Sequence, residues 1–197
     1  MLRVLSSNHA RRSIDGCNAT SAPVRRRLTS SVGTSQMPAR RIGDVYELPE
    51  HDGRCFFMQH VDTDSSQLGS QVVRVFEGVE KGKSLTLKEI VRQPTHFFIH
   101  VLLRAGETLK LWHKIGRAAV VVEIGELTWR ICPADELRQP NATEWYVWRT
   151  NGERRKALPG SDSLHGTEFG MAMAPAAVVE RAHTGKWTFR YPDFERH

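Results

Sequence analysis

Asp44-Val45-Tyr46-Glu47-Leu48-Pro49, His51-Asp52-Gly53, and Arg54-Cys55-Phe56-Phe57-Met58-Gln59-His60-Val61 form the stretch whose reading decides the fold. The first piece alternates polar and apolar side chains and stops at a proline, as a half-buried strand does. Asp52-Gly53 supplies a turn, because both residue types tolerate conformations that other side chains avoid. The third piece reads as the returning strand. A hairpin at the start of the body predicts an antiparallel sheet, and the segments that follow extend it. A polar loop is expected through Asp62, Asp64, Ser65 and Ser66.

Downstream, Gln71 to Phe76 reads as a third strand, with Val73 and Val75 on one face and Val72, Arg74 and Phe76 on the other. Ser84 to Arg92 is a helical candidate, in which Thr86 and Glu89 have the spacing of a capping box and Pro94 stops the helix. His96 to Leu103 reads as a central strand, and Gly106 marks the turn that follows it. Leu109 to Gly116 carries Trp112 into a turn, and Ala118 to Ile124 and Leu127 to Cys132 are two more strand candidates. Glu144 to Thr150 is an aromatic strand, and Asn151-Gly152 predicts a two-residue hairpin turn that returns Glu153 to Leu158. Pro175 to His183 is the second helix, bounded by Pro175 and Gly185. Trp187 to Tyr191 is a candidate last strand. These segments predict an α+β domain, mainly an antiparallel, strongly curved or barrel-like β-sheet with one or two short helices.

Charge divides the chain differently from apolar patterning. Residues 1–41 hold eight arginines, one acid and no Phe, Tyr or Trp, a charge of +7. The other 156 residues hold 20 basic and 21 acidic side chains, a charge of −1. The basic leader lacks the apolar surface needed to offset ordering, so a disordered Arg/Ser-rich tail is expected over 1–41 and one globular domain over 42–197. Three readings of the leader compete: a gene start drawn too early, with Met37 as the true initiator, a mitochondrial transit peptide, and a nucleic-acid-binding arm. The near-neutral body gives no reason to expect nucleic acid as its own partner. Nowhere does the sequence approach the ~18 apolar residues of a membrane span.

Chemistry-bearing motifs are few. P-loop, GxGxxG, GxSxG and HExxH patterns are lacking. Cys17, Cys55 and Cys132 are far apart and odd in number, which indicates neither zinc nor a disulfide framework. His96 and His100 would lie together on a helix, but on a strand the same spacing separates them by roughly 13 Å. No catalytic residue, metal or cofactor is therefore assigned. Trp145 and Trp148, three apart on one strand, point to opposite faces, so one of them is a candidate for exposure. An exposed Trp beside Arg149, Arg154 and Arg155 would suit a protein partner or an RNA base.

The order of short motifs resembles the immunity protein 26 family of bacterial polymorphic-toxin systems. Ile42 to Pro49 followed by Asp52 to Gln59 looks like that family's opening. Pro94 to Val101, Trp112 to Gly116, Trp145 to Gly152, and His165-Gly166-Thr167-Glu168 leading to Val178 to Arg181 then follow in the same order, over about residues 42–185. Gly166-Thr167-Glu168 departs from the family's Gly-Leu-Glu, and Glu123 to Arg138 matches little. The resemblance implies a cytoplasmic, non-enzymatic protein that binds and neutralises a cognate toxin. Candidate contacts are Asp62 and Asp64 in the first long loop and Trp148, Arg154 and Arg155 on the late hairpin. The competing reading is a mitochondrial RNA- or ribosome-associated binding protein with an N-terminal transit peptide.

Overall fold

A computed structural model describes residues 40–187 and residue 189. The readings of residues 1–39 and most of the candidate strand from Trp187 to Tyr191 fall outside them. The hairpin that opens the body forms as expected: β1 (Asp44–His51) pairs antiparallel with β2 (Arg54–Asp64), and Tyr46 stands opposite Met58. Asp52 and Gly53 make the turn, both with positive φ. Gly43, just before β1, has φ +93°, and a Cβ there would collide with the Ala118 carbonyl. Only glycine fits that closure. It lets the Gly43 N–H donate to His60 at 2.7 Å while its carbonyl accepts from Ala118 at 2.9 Å.

The remaining strands are β3 (Ser70–Phe76), β4 (Val79–Glu80), β5 (Thr95–Val101), β6 (His113–Arg117), β7 (Thr128–Ile131), β8 (Trp145–Arg149), β9 (Arg155–Ala157), β10 (Glu168–Phe169) and β11 (Ala172–Met173). The larger sheet runs β11-β5-β3-β2-β1-β6, with β4 added to β2, and the smaller runs β10-β7-β8-β9. Pairing is antiparallel except where β10 meets β7 and β11 meets β5. The fold is thus α+β and mostly antiparallel, but it is not a barrel. β11 and β6 remain opposite edges of the larger sheet, and the smaller sheet makes a second layer instead of closing the first.

Alternation along the strands sorts the core into layers. Tyr46, Leu48, Met58, Val73, Val75, Phe97 and Ile99 face α2 (Leu103–Thr108) and α3 (Pro175–Thr184). On the opposite face, Val45, Phe57 and Phe76 pack with Ile90 and Val91 at the end of α1 (Leu87–Ile90), while Val61 and Val72 pack against Trp129 and Trp148 of the smaller sheet. The capping box predicted at Thr86 and Glu89 is formed in full. Gly185 ends α3 with φ +74°.

Several element readings need correction. β6 runs as a strand through Ile115 and Gly116, where the sequence suggested a turn. α2 is a helix where the sequence suggested strand end and turn. Ala118 to Ile124 forms no strand; its alternating Val120, Val122 and Ile124 lie as irregular chain against Trp129 and Trp148. The late hairpin is real, with Trp145 opposite Ala157, but its loop spans residues 150–154. Only Asn151 of the Asn-Gly pair has positive φ, at 60°, so the two-residue type I′ turn is not formed.

Candidate functional site

Asp62 and Asp64 do not lie in a free loop. β2 continues through them, with Asp64 opposite Ser70, so Asp62 is half-buried in a strand and Asp64 has no exposure. The Asp62 carboxylate accepts from the N–H of Thr63 at 2.8 Å, beside an irregularity in register between His60 and Asp62. Asp64 works harder. Its Oδ1 accepts from the backbone N–H groups of Ser66 and Gln67 and from Ser66 Oγ, each at 3.0 Å, and its Oδ2 accepts from Trp148 Nε1 at 3.1 Å. Burial pushes this carboxyl upward, but the donors together outweigh burial and hold it below the ordinary carboxylate range.

Beside Asp64 lies His100, also with no exposure, under the Trp129 ring at a centroid distance of 4.0 Å. His100 Nδ1 shares a 3.1 Å hydrogen bond with Ser70 Oγ, and its Nε2 lies 3.9 Å from Asp64 Oδ2. Burial drives the imidazole down to about 4, against a weaker opposing pull from Asp64, so it is neutral at pH 7. The order Asp64, His100, Ser70 is that of a nucleophilic triad, but the geometry is not. The Asp-His separation exceeds a hydrogen bond, and all three side chains are sealed from substrate. The trio is a buried polar joint between the two sheets.

Three other titratable side chains have partners of their own. His60 Nε2 bonds Thr63 Oγ1 at 3.1 Å, His113 Nε2 lies 3.4 Å from Glu47, and Glu168 accepts from the Phe98 N–H at 3.2 Å. Cys132 is buried, and burial lifts its thiol to about 11, so it stays protonated. No group of three His, Cys, Asp or Glu side chains among the described residues could hold a metal ion. Among the same residues, no helix is long and apolar enough to cross a membrane.

Trp145 and Trp148 do point into different layers, yet neither is exposed. Trp145 packs with Cys132, Ala142, Ala157 and Leu164, while Trp148 packs with Val61, Val72 and Trp129, because the smaller sheet is covered on both faces. Trp148 still forms part of the wall of a surface cleft of about 460 Å³ shared with Arg149, Gly152, Glu153 and Arg155. Arg154 lies over the Tyr146 ring, 4.3 Å from its centroid, and 5.6 Å from that of Trp148. Three of the five expected residues, Trp148, Arg154 and Arg155, therefore come together. Asp64 supports them from beneath, and Asp62 takes no part.

The loop that carries Arg154 and leads into Arg155 of β9 is clamped. Asn151 Oδ1 accepts from Ser65 N at 2.8 Å and from Ser65 Oγ at 3.0 Å, Asn151 Nδ2 donates to the Thr63 carbonyl at 3.0 Å, and Gln67 Nε2 donates to the Gly152 carbonyl at 3.2 Å. Two more exposed cations adjoin them: Arg149, which the sequence reading set beside the exposed Trp, is paired with Glu126 at 2.9 Å, and Lys156, which it left out, is paired with Glu144 at 2.7 Å. Arg154 and Arg155 have no ion-pair partner among the described residues. Comparison with known proteins finds no matching family model, no matching curated protein and no matching solved structure.

Proposed function

We propose that this chain is a non-enzymatic immunity protein that binds and neutralises a cognate toxin domain of a bacterial polymorphic-toxin system in the cytoplasm. The single observation that carries the binding role is the clamped hairpin: two exposed arginines without carboxylate partners among the described residues, Arg154 on a loop tied down by Ser65, Gln67 and Asn151, and Arg155 at the start of β9. A surface fixed before the encounter loses little freedom on association, and its unpaired guanidiniums favour a partner bearing carboxylates. The order of motifs over residues 42–185 supports the choice of an immunity protein within that broader class. Base stacking is less well served, because Trp148 is 3% exposed and Arg154 lies over Tyr146.

The test is co-expression of the full chain with the toxin domain encoded beside it. Rescue of growth and co-purification as a stoichiometric complex are expected. Arg154→Glu with Arg155→Glu should weaken the complex at least tenfold, about 1.4 kcal/mol, with only a small drop in melting temperature from the lost Arg154–Tyr146 contact. If the wild-type chain neither rescues growth nor co-purifies, the immunity reading is wrong.

A further inference from the structure

α2 presents two apolar faces where a surface helix needs one. Leu103 and Gly106 face the core, and Gly106 is held there because a Cβ would overlap the Trp112 ring. Leu102 and Leu109, the residues that cap α2 at its two ends, line one groove together with Ala105. Leu102 is 52% exposed and Leu109 is 61% exposed. Together with Arg40, Gln71 and Arg104 they bound an open groove of about 760 Å³. Its walls are fixed: Gln71 Oε1 accepts from the Leu103 N–H at 3.2 Å, and Arg40 is ion-paired to Glu107.

The charges around this groove indicate what would cover it. Glu107, the acid on α2, is already paired with Arg40, whereas exposed Arg104, which lines the groove, has no ion-pair partner among the described residues. A second copy laid groove against groove would bring both copies' Arg104 into one interface where Glu107 is already paired, a charge imbalance that costs affinity. We infer that the groove beside α2 seats an apolar segment flanked by acidic residues, contributed by the protein partner. This inference rests on the toxin-binding reading and assigns the partner a second point of contact, of different chemistry from the cationic hairpin.

Calorimetric titration of the full chain with the toxin domain tests it. Leu102→Asp with Leu109→Asp, both at exposed positions, should weaken binding at least 30-fold, and Arg104→Glu should weaken it about tenfold and flatten its salt dependence. Hydrogen exchange on the wild-type complex should show residues 102–110 protected, a readout that does not depend on how the variants fold. Binding by wild type with unchanged affinity in the leucine variant and no protection of 102–110 overturns the groove assignment and leaves the toxin-binding reading standing. No binding by wild type removes both. A wild-type dimer that the leucine variant dissociates, with toxin affinity unchanged, makes a second copy the occupant and also overturns the assignment.

Discussion

Asp64 shows how far a single side chain can depart from its local texture. Asp-Thr-Asp-Ser-Ser reads as a solvated loop, and no neighbour in sequence contradicts that. The donor that changes its role is Trp148, 84 positions away, together with the backbone of Ser66 and Gln67. Replacing Asp64 by Ala leaves a buried indole N–H and two backbone N–H groups without acceptors, so Asp64→Ala is expected to cost about 2 to 4 kcal/mol. Urea denaturation measures it, and a loss below about 1 kcal/mol would show that water replaces the carboxylate. Arg154 and Arg155 were legible for the opposite reason. Two adjacent arginines after an Asn-Gly turn have nowhere to go but the surface, and the structure leaves both exposed.

Elements with their own local signals were mostly read correctly, the type I′ turn at Asn151-Gly152 being the exception, and elements built by distant packing were not. The capping box at α1 is local: Thr86 Oγ1 accepts from Glu89 N at 3.3 Å and Glu89 Oε2 accepts from Thr86 N at 2.8 Å. Thr86→Ala should lower stability by about 1 kcal/mol in the same denaturation experiment, and an unchanged midpoint would show that Ile90 and Val91 hold α1 by packing alone. α2 carries no such signal. Its N-cap is Leu102, which offers no side-chain acceptor, and Gly106 in its middle reads as a turn until the Trp112 ring above it is known. The error over Ala118 to Ile124 is also physical. Apolar residues at every second position mark a chain lying against a core, and a strand is one way to lie there. Here Gln59 Nε2 binds the carbonyls of Ala118 and Ala119 at 3.0 and 3.3 Å, where a strand would have had a ladder.

At the scale of the whole molecule, the antiparallel hairpin and the two faces of the sheet could be read from alternation, but the division into two sheets could not. That division depends on which strands pair across long separations. One global property follows from the joint between the sheets. His100 is neutral when folded because burial depresses it to about 4, and His60 is lowered by burial as well. An unfolded chain takes up these protons below about pH 6.5, whereas the folded one resists, so stability is full above that pH and declines as pH falls toward 4. Asp64 adds a loss of the same sign only below the ordinary carboxylate range, whereas Glu168, raised by burial, has the opposite sign and favours folding as pH falls. The His100 contribution amounts to as much as about 3 kcal/mol. Denaturation at pH 7.5 and pH 5 should show the loss in wild type and a smaller one in His100→Gln; equal stability at both values would rule it out.

The six residues from Glu168 to Met173 enter the smaller sheet as β10 and leave in the larger one as β11, with Gly170 pressed beneath the Trp148 ring at the crossing. Neither sheet can therefore shed this edge without tugging on the other. The clamped hairpin sits on the smaller sheet and the α2 groove on the larger, so the two surfaces belong to a single cooperative unit.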